Sequence, residues 1–136
     1  MLHKFFIFCL LVTLLSGCND DDIPTISLEN FEQEVINVAG KQAIDCGKVG
    51  INESSLVVNT CISDSYILNT SFYSFYMAKG VDSTVAYAVT MDVNSVVLYW
   101  SYDSFDGGQI SSRVCKDPST TSELTGEHTD VFNCTE

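Results

Sequence analysis

Residues 84–91 read TVAYAVTM, and large and small side chains alternate along them without exception. One face of an extended chain would carry the larger side chains, Val85, Tyr87, Val89 and Met91. The other face would carry the smaller ones, Thr84, Ala86, Ala88 and Thr90. A period of two is that of a β-strand, whose successive side chains point to opposite faces of a sheet. Residues 84–91 are therefore predicted to form a strand with a core-facing side.

The same period continues on both sides of this strand. It predicts three more strands, Ser71–Lys79, Ser95–Tyr102 and Gln109–Cys115. The gaps between the four strands are short and rich in turn-forming residues: Gly80-Val81-Asp82, Asp92-Val93-Asn94 and Ser104–Gly108. Because short connections join antiparallel neighbours, the four strands are predicted to form an antiparallel meander.

Before the strands, apolar residues recur at helical spacing. Ser27 is a suitable N-cap, Gly40 is a stop signal, and the apolar positions between them predict a helix over Leu28–Ala39. A second helix is predicted near Glu53–Leu68, with Asn52 as its cap.

The segment Asp45-Cys46-Gly47, between the two helices, is predicted to be a connecting loop. The predicted fold is therefore α+β, with two N-terminal helices packed on one face of a four-stranded antiparallel meander and stapled by disulfides.

Aromatic residues are concentrated in the predicted sheet. Nine of the twelve aromatic residues that follow residue 17 lie between Phe72 and Phe105. A core is the favoured interpretation, because aromatic side chains bury the most area per residue. A binding face for a glycan, lipid or peptide is the alternative. Strand alternation would point Phe75 and Phe72 to opposite faces, so something must cover or bind the second face.

The charge of the chain is strongly acidic. Its 136 residues include 6 Lys and Arg against 18 Asp and Glu, a formal charge of −12. Nucleic acid is not an expected partner, because binding phosphates requires a basic surface. An acidic domain is instead steered toward basic proteins.

The first 17 residues have the order of a secretory signal: Lys4, an apolar run over Phe5–Leu15, then Ser16-Gly17. The apolar run is too short to cross a bilayer. The following motif, Leu15-Ser16-Gly17-Cys18, resembles the lipobox of bacterial lipoproteins. The resemblance implies cleavage before Cys18 and acylation of Cys18, which would anchor the protein in a membrane. Without residues 1–17, the chain has 119 residues with 5 basic and 18 acidic side chains, a charge of −13.

Residues 18–26 are predicted to be an acidic tether that includes Asp20-Asp21-Asp22. In bacterial lipoproteins, Asp directly after the lipidated Cys is typical of retention in the inner membrane. Here that position is Asn19. The outer membrane, facing the periplasm, is therefore the expected location, and the inner membrane and the cell surface stay open.

Cys9 lies in the signal, and Cys18 is the proposed site of the lipid. The four other cysteines are Cys46, Cys61, Cys115 and Cys134. An even number in an oxidising compartment predicts two disulfides. Cys46–Cys61 and Cys115–Cys134 are favoured because these pairs are near in sequence, although the two other pairings stay open. Loops of roughly 15–20 residues would each add about 3 kcal/mol of stability. The domain is expected over residues 27–117, and the Ser/Thr-rich acidic tail, 118–136, would be tied by Cys134.

Two predicted loops pair a carboxylate with a hydroxyl, Asp82-Ser83 and Asp103-Ser104. Paired carboxylates can serve acid–base chemistry or bind a cation. Turn chemistry is favoured, because Asp and Ser side chains bond nearby backbone N–H groups. The sequence has no zinc-binding spacing, and a Ser–His–Asp arrangement would have to use His128 in the tail. No metal, cofactor or catalytic residue is therefore predicted.

Several short motifs together resemble a pattern of small bacterial lipoproteins of unknown function: Cys46-Gly47, Cys61, the aromatic strand Phe72–Tyr76, Gly80-x-Asp82-Ser83, Tyr102-Asp103-Ser104 with Gly107-Gly108, and Cys115. That family carries no activity to transfer. The expected function is that of a non-enzymatic, lipid-anchored envelope protein that binds an envelope protein or component. Two alternatives stay open. One is an inhibitor of a basic enzyme such as lysozyme, although the Ser-Gly-x-x-Tyr loop of the lipoprotein lysozyme inhibitors is absent. The other is an envelope hydrolase that uses Asp82 and Asp103.

Overall fold

The computed structural model describes residues 25–116 and the backbone of residues 119–120 and 132–133. Its helices are α1 (Leu28–Ala39) and α2 (Leu56–Ile67), with a single 3-10 turn at Phe105–Gly107. Its strands are β1 (Ile44–Val49), β2 (Phe72–Lys79), β3 (Thr84–Met91), β4 (Val97–Asp103), β5 (Gln109–Val114), β6 (Ser119–Thr120) and β7 (Phe132–Asn133). Strands β1 to β5 form one sheet in that order, and β6 pairs with β7. Neither α1 nor α2 is long and apolar enough to cross a membrane, and the described residues contain no other helix that is.

Helix α1 has the predicted bounds, and its first turn shows why. The Ser27 hydroxyl oxygen accepts a hydrogen bond from the Asn30 N–H at 3.1 Å, and the Asn30 Oδ1 accepts one from the Ser27 N–H at 3.0 Å. This reciprocal cap satisfies backbone donors that the helix itself leaves unpaired. Phe31, Val35 and Ala39 form the buried side of the helix.

The predicted meander is present as β2 to β5. Each strand pairs antiparallel with the next, and β3 occupies residues 84–91 as predicted. Opposite residues include Phe75 with Ala88, and Ala88 with Trp100. These three side chains therefore share one face of the sheet.

The sheet has a fifth strand where a loop was predicted. Asp45-Cys46-Gly47 lies in β1, which pairs parallel to β2 at the edge of the sheet. The register shifts between Asp45, opposite Tyr73, and Lys48, opposite Phe75. Within this bulge Gly47 has a φ of 102°, and its N–H donates to the Asp45 carboxylate at 2.8 Å. The turn-like residues thus form a bulge inside a strand, and the sheet is mixed rather than wholly antiparallel.

The two helices lie on opposite faces of the sheet, so the prediction that both pack on one face is wrong. The core on the α1 side includes Phe31, Phe75 and Trp100. The core on the α2 side includes Ile62 and Phe72. Helix α2 connects the parallel strands β1 and β2, and such a crossover has to pass over one face of the sheet. The aromatic residues on both faces of β2 are therefore covered by different helices.

Helix α2 begins three residues later than predicted. Asn52 does not cap it but lies in the preceding turn, with a φ of 64°. The residue before the helix is Ser55, whose side chain makes no capping hydrogen bond and is fully buried. Glu53 also belongs to the turn, where its carboxylate accepts from the Gly50 N–H at 2.7 Å.

The predicted Cys46–Cys61 disulfide is confirmed. It joins β1 to α2 across a Cα–Cα distance of 5.5 Å, within the crossover. Cys115 is also disulfide-bonded and is buried on the α2 side of the sheet. Its predicted partner, Cys134, lies outside the described residues, so the pairing of those two cysteines stays a prediction.

Candidate functional site

Three loops lie together at one end of the sheet. Strands β1, β2 and β4 end there, whereas β3 and β5 begin there. The loops are residues 50–55, 80–83 and 104–108, and we call this region the loop end. Both predicted carboxylate–hydroxyl pairs belong to it, although Asp103 is itself the last residue of β4.

The structure brings Asp103-Ser104 into contact with Ser83 and with Thr84, the residue that follows the Asp82-Ser83 pair. The Ser104 hydroxyl oxygen accepts from the Thr84 N–H at 2.8 Å, and the Ser104 N–H donates to the Thr84 carbonyl at 3.0 Å. The Asp103 carboxylate accepts from the Phe105 N–H at 2.9 Å and is hydrogen-bonded to the Ser83 side chain. These bonds tie the start of β3 to the end of β4. Asp82, next to Ser83, remains exposed at the surface.

The chemistry of Asp103 follows from these bonds. The Phe105 N–H, and after it Ser83, hold the pKa of this carboxyl below its usual value, because hydrogen bonds to the charged form favour ionisation. A general acid needs the opposite shift, so that it still carries its proton near neutral pH. Asp103 is therefore an ionised group that joins two loops. Its bond to the Phe105 N–H is the local turn contact that was predicted, whereas its bond to Ser83 was not predicted.

A further part of the loop end holds the segment that leads into α1. The Ile26 N–H donates to the Gly107 carbonyl at 2.7 Å, and the Tyr102 hydroxyl donates to the Ile26 carbonyl at 3.0 Å. Gly108 has a φ of 87°, and a Cβ atom there would lie 2.1 Å from the Ile26 carbonyl oxygen. We call these contacts of Tyr102, Gly107 and Gly108 the Ile26 clamp. It depends on glycine for both close approach and backbone conformation.

The Ile26 clamp was missed by the sequence analysis, which treated Gly107-Gly108 as a turn. Tyr102 and Ile26 are 76 residues apart, so no local pattern could indicate the contact. The ring of Tyr102 also stacks on Phe31 of α1, with 5.4 Å between ring centroids. Only the paired glycines, in the short loop that follows β4, could have suggested a close backbone approach.

The exposed surface of the loop end is acidic and has three exposed apolar side chains, Ile51, Val81 and Phe105. Its carboxylates come from all three loops and from the first turn of α1, namely Glu29, Glu53, Asp82, Asp103 and Asp106. Lys79 lies beside them as the last residue of β2. Val81 is 98% exposed, and Phe105 is 60% exposed. The surface thus combines negative charge with large side chains that the fold leaves unburied.

A second surface lies on the α2 side of the sheet, beyond the strands that α2 covers. Tyr87 and Tyr99 pack at 5.8 Å between ring centroids, and the Arg113 guanidinium lies 5.2 Å from the centre of the Tyr99 ring. The Ser101 and Ser111 hydroxyls are hydrogen-bonded at 2.7 Å. The side chains of this surface are engaged with one another, which makes it a weaker candidate for binding than the loop end.

Within residues 25–116, no group of three or more His, Cys, Asp or Glu side chains could hold a metal ion. No protein-family model matches the chain, and no similar curated protein or solved structure was found. What the protein does has therefore to be inferred from its own residues, and the loop end offers the clearest geometry.

Proposed function

We propose that the protein is a lipoprotein of the bacterial cell envelope, anchored through Cys18, and that its loop end binds a basic protein without catalysing a reaction. The observation that carries the proposal is the presence of exposed Val81 and Phe105 among carboxylates on braced loops. The outer membrane, facing the periplasm, is the proposed location because Asn19 follows the lipobox cysteine.

Hydrogen bonds between the loops of the loop end support a role in binding. Asp103 and Ser104 join two of the three loops, 80–83 and 104–108, and the Ile26 clamp joins the loop 104–108 to the segment that leads into α1. A surface that is already ordered loses little conformational entropy when a partner binds. The bracing therefore supports a preformed recognition surface.

The exposed side chains suit a protein partner. A large apolar residue such as Phe105 can fill a pocket on the partner, and buried anchors of this kind contribute most of the affinity in protein interfaces. The surrounding carboxylates would accelerate encounter with a basic surface and select against acidic ones. Together these properties support a basic protein as the ligand.

A hydrolase that uses Asp82 and Asp103 is less well supported. Glycoside hydrolysis, for example, needs one protonated and one ionised carboxyl group about 5–10 Å apart. Asp103 is ionised and engaged with Phe105 and Ser83, so it is not available as the acid. The Asp103→Asn variant tests the hydrolase directly: a hydrolytic activity that is present in the native protein and lost in the folded variant would favour the hydrolase.

An inhibitor of a basic enzyme such as lysozyme is a second candidate, and the acidic loop end favours it specifically. We expect lysozyme, used as a basic probe, to bind the protein at low ionic strength and to bind more weakly as salt is added. Binding can be measured by surface plasmon resonance. Absence of binding at low ionic strength would remove this candidate, although not the wider proposal.

The test of the wider proposal is a crosslinking pull-down from intact envelopes with matched variants. Asp82→Asn with Asp106→Asn removes two charges from the loop end, and Asn tolerates the left-handed backbone of residue 106 (φ 51°). Glu34→Gln with Asp64→Asn removes two exposed charges from the helices instead. We expect the first pair alone to reduce capture of the partner. Equal capture by both variants would contradict a role for the loop end.

The lipid anchor has its own test. Cys18→Ala should abolish incorporation of labelled fatty acid and release the protein from the membrane fraction. A Cys18→Ala protein that stayed in the membrane fraction would show that the lipobox interpretation is wrong.

A further inference from the structure

The first described residues of the chain, 25 and 26, meet the folded domain at the loop end. Ile26 is fixed to the loop end through both of its backbone polar groups, by the Gly107 carbonyl and the Tyr102 hydroxyl. The opposite end of the sheet carries the turn between β3 and β4, whose Val93 is 77% exposed. Since β2 and β3 have eight residues each, the two ends are about 26 Å apart. The attachment point is therefore far from the middle of the molecule.

The chain between the proposed lipid and this attachment point is short. Ile26 follows Cys18 by eight residues, which span at most about 27 Å when fully extended. This reach is about the length of the sheet itself. A rigid body that is tethered at one end by so short a chain keeps that end nearest the membrane on average, because the reverse orientation fits above the bilayer only when the tether is almost fully extended, which costs conformational entropy.

We infer that the Ile26 clamp turns the acidic loop end toward the membrane that carries the lipid, so that the basic partner is met at the membrane surface. The inference rests on the proposed anchor at Cys18 and specifies where the proposed binding surface operates. The partner is accordingly a membrane protein with a Lys- or Arg-rich surface next to the bilayer.

Charge favours a protein over the bilayer itself as the occupant. The loop end presents Asp82, Asp106 and Glu53, and the tether adds Asp20-Asp21-Asp22. Anionic headgroups repel such a surface within roughly 10 Å at moderate salt. The loop end would thus face the membrane without inserting into it, which leaves space for the basic surface of a partner.

The inference can be tested with a matched pair of labelled proteins. Val81→Cys and Val93→Cys each replace an exposed valine in a loop between neighbouring strands, the first at the loop end and the second at the opposite end. The lipidated proteins, labelled with a donor dye, are placed in phosphatidylethanolamine and phosphatidylglycerol vesicles that contain an acceptor-labelled lipid. We expect more energy transfer from residue 81 than from residue 93. Equal transfer, or more from residue 93, would overturn the inference.

Variants of the clamp test its role in this orientation. Gly108→Ala introduces a Cβ atom that collides with Ile26, and Tyr102→Phe removes one hydrogen bond with little change of shape. We expect both to reduce the difference in transfer between the two labelled positions, with circular dichroism as a check on folding. If Gly108→Ala does not fold, Tyr102→Phe still decides the matter. An unchanged difference in a folded variant would overturn the role of the clamp.

Two further outcomes have separate meanings. If no transfer occurs from either position and labelled fatty acid is not incorporated, the proposed anchor has failed, which removes the premise of the inference. If a collisional quencher on the lipid headgroup suppresses the dye at residue 81, the loop end contacts lipid directly. That result would overturn the membrane protein as occupant while leaving the orientation intact.

Discussion

Helices α1 and α2 have the same length but are held in place by different means. Each has twelve residues, yet α1 has a reciprocal cap and α2 has no side-chain cap. Helix α1 buries one apolar side, whereas α2 leaves Val57 and Ile67 more than three-quarters exposed. A disulfide and the crossover between two parallel strands hold α2 in place instead. The comparison shows that a helix can be specified by its own sequence or by the chain on either side of it.

Helix α1 depends on its packing, so the largest expected effect is on its core. Phe31 is fully buried and contacts both Phe75 and Tyr102. We expect Phe31→Ala to lower the free energy of unfolding by about 3–5 kcal/mol, through lost burial and the cavity left behind. Urea unfolding, followed by the fluorescence of the single tryptophan, Trp100, measures it. A loss below about 1 kcal/mol would mean that α1 is not fixed by this core.

Removal of the disulfide should affect α2 more than α1. We expect the double variant Cys46→Ala and Cys61→Ala to lose about 3 kcal/mol, because the closed loop spans 15 residues of sequence separation. Hydrogen exchange should increase in β1 and α2 while α1 stays protected. Equal loss of protection in both helices would show that they unfold as one unit, and the comparison between them would then fail.

The cap of α1 has a smaller effect. Ser27→Ala removes the hydroxyl that pairs with the Asn30 N–H, and we expect a loss of about 1 kcal/mol. The matched variant at α2 is Ser54→Ala, whose hydroxyl is 3.4 Å from the Leu56 N–H and should contribute less. Thermal unfolding of the two variants compares them. If Ser54→Ala lowered the unfolding temperature more than Ser27→Ala, α1 would not be the helix that depends more on its cap.

Alkaline pH gives the smallest effect and acts on the α2 side. Burial raises the pKa of Tyr76, whose hydroxyl donates to the Asn59 side chain of α2 at 3.1 Å. Because the pKa is raised in the folded protein, the stability it contributes is present below about pH 10, the unfolded value, and is lost as pH rises beyond it. Urea midpoints between neutral and alkaline pH should fall more steeply in the native protein than in Tyr76→Phe. Identical slopes would remove Tyr76 as the cause.

The parts of the fold that the sequence predicted correctly are those with local signals. Helix α1 has a cap at Ser27 and a stop at Gly40, and β3 alternates over its whole length, so both have the predicted bounds. Strand β1 was missed because the bulge at Cys46-Gly47 breaks the alternation and looks like a turn. The opposite placement of the helices follows from the parallel pairing of β1 and therefore could not be predicted without it.

The candidate site also has a part with a local signal in the sequence and a part without one. Turn chemistry depends on side chains that bond nearby backbone groups, and Asp103 does so at Phe105. The Ser104 hydroxyl instead bonds the Thr84 N–H, twenty residues away on the neighbouring strand, which the local pattern could not indicate. The Ile26 clamp joins residues far apart in sequence, which meet only once α1 has packed on the sheet. Such a contact has no local signature, so the acidic loop end could be recognised only from the fold.

The bulge in β1 also affects whether two copies of the protein can associate through the edges of their sheets. Strand β1 is at the edge of the sheet, and an unpaired edge can recruit a strand from another molecule. At Asp45-Cys46-Gly47 the row of backbone groups is interrupted, and one N–H is already taken by the Asp45 carboxylate. A straight incoming strand cannot match that spacing. Close approach of copies of the protein therefore carries little risk of aggregation through this edge.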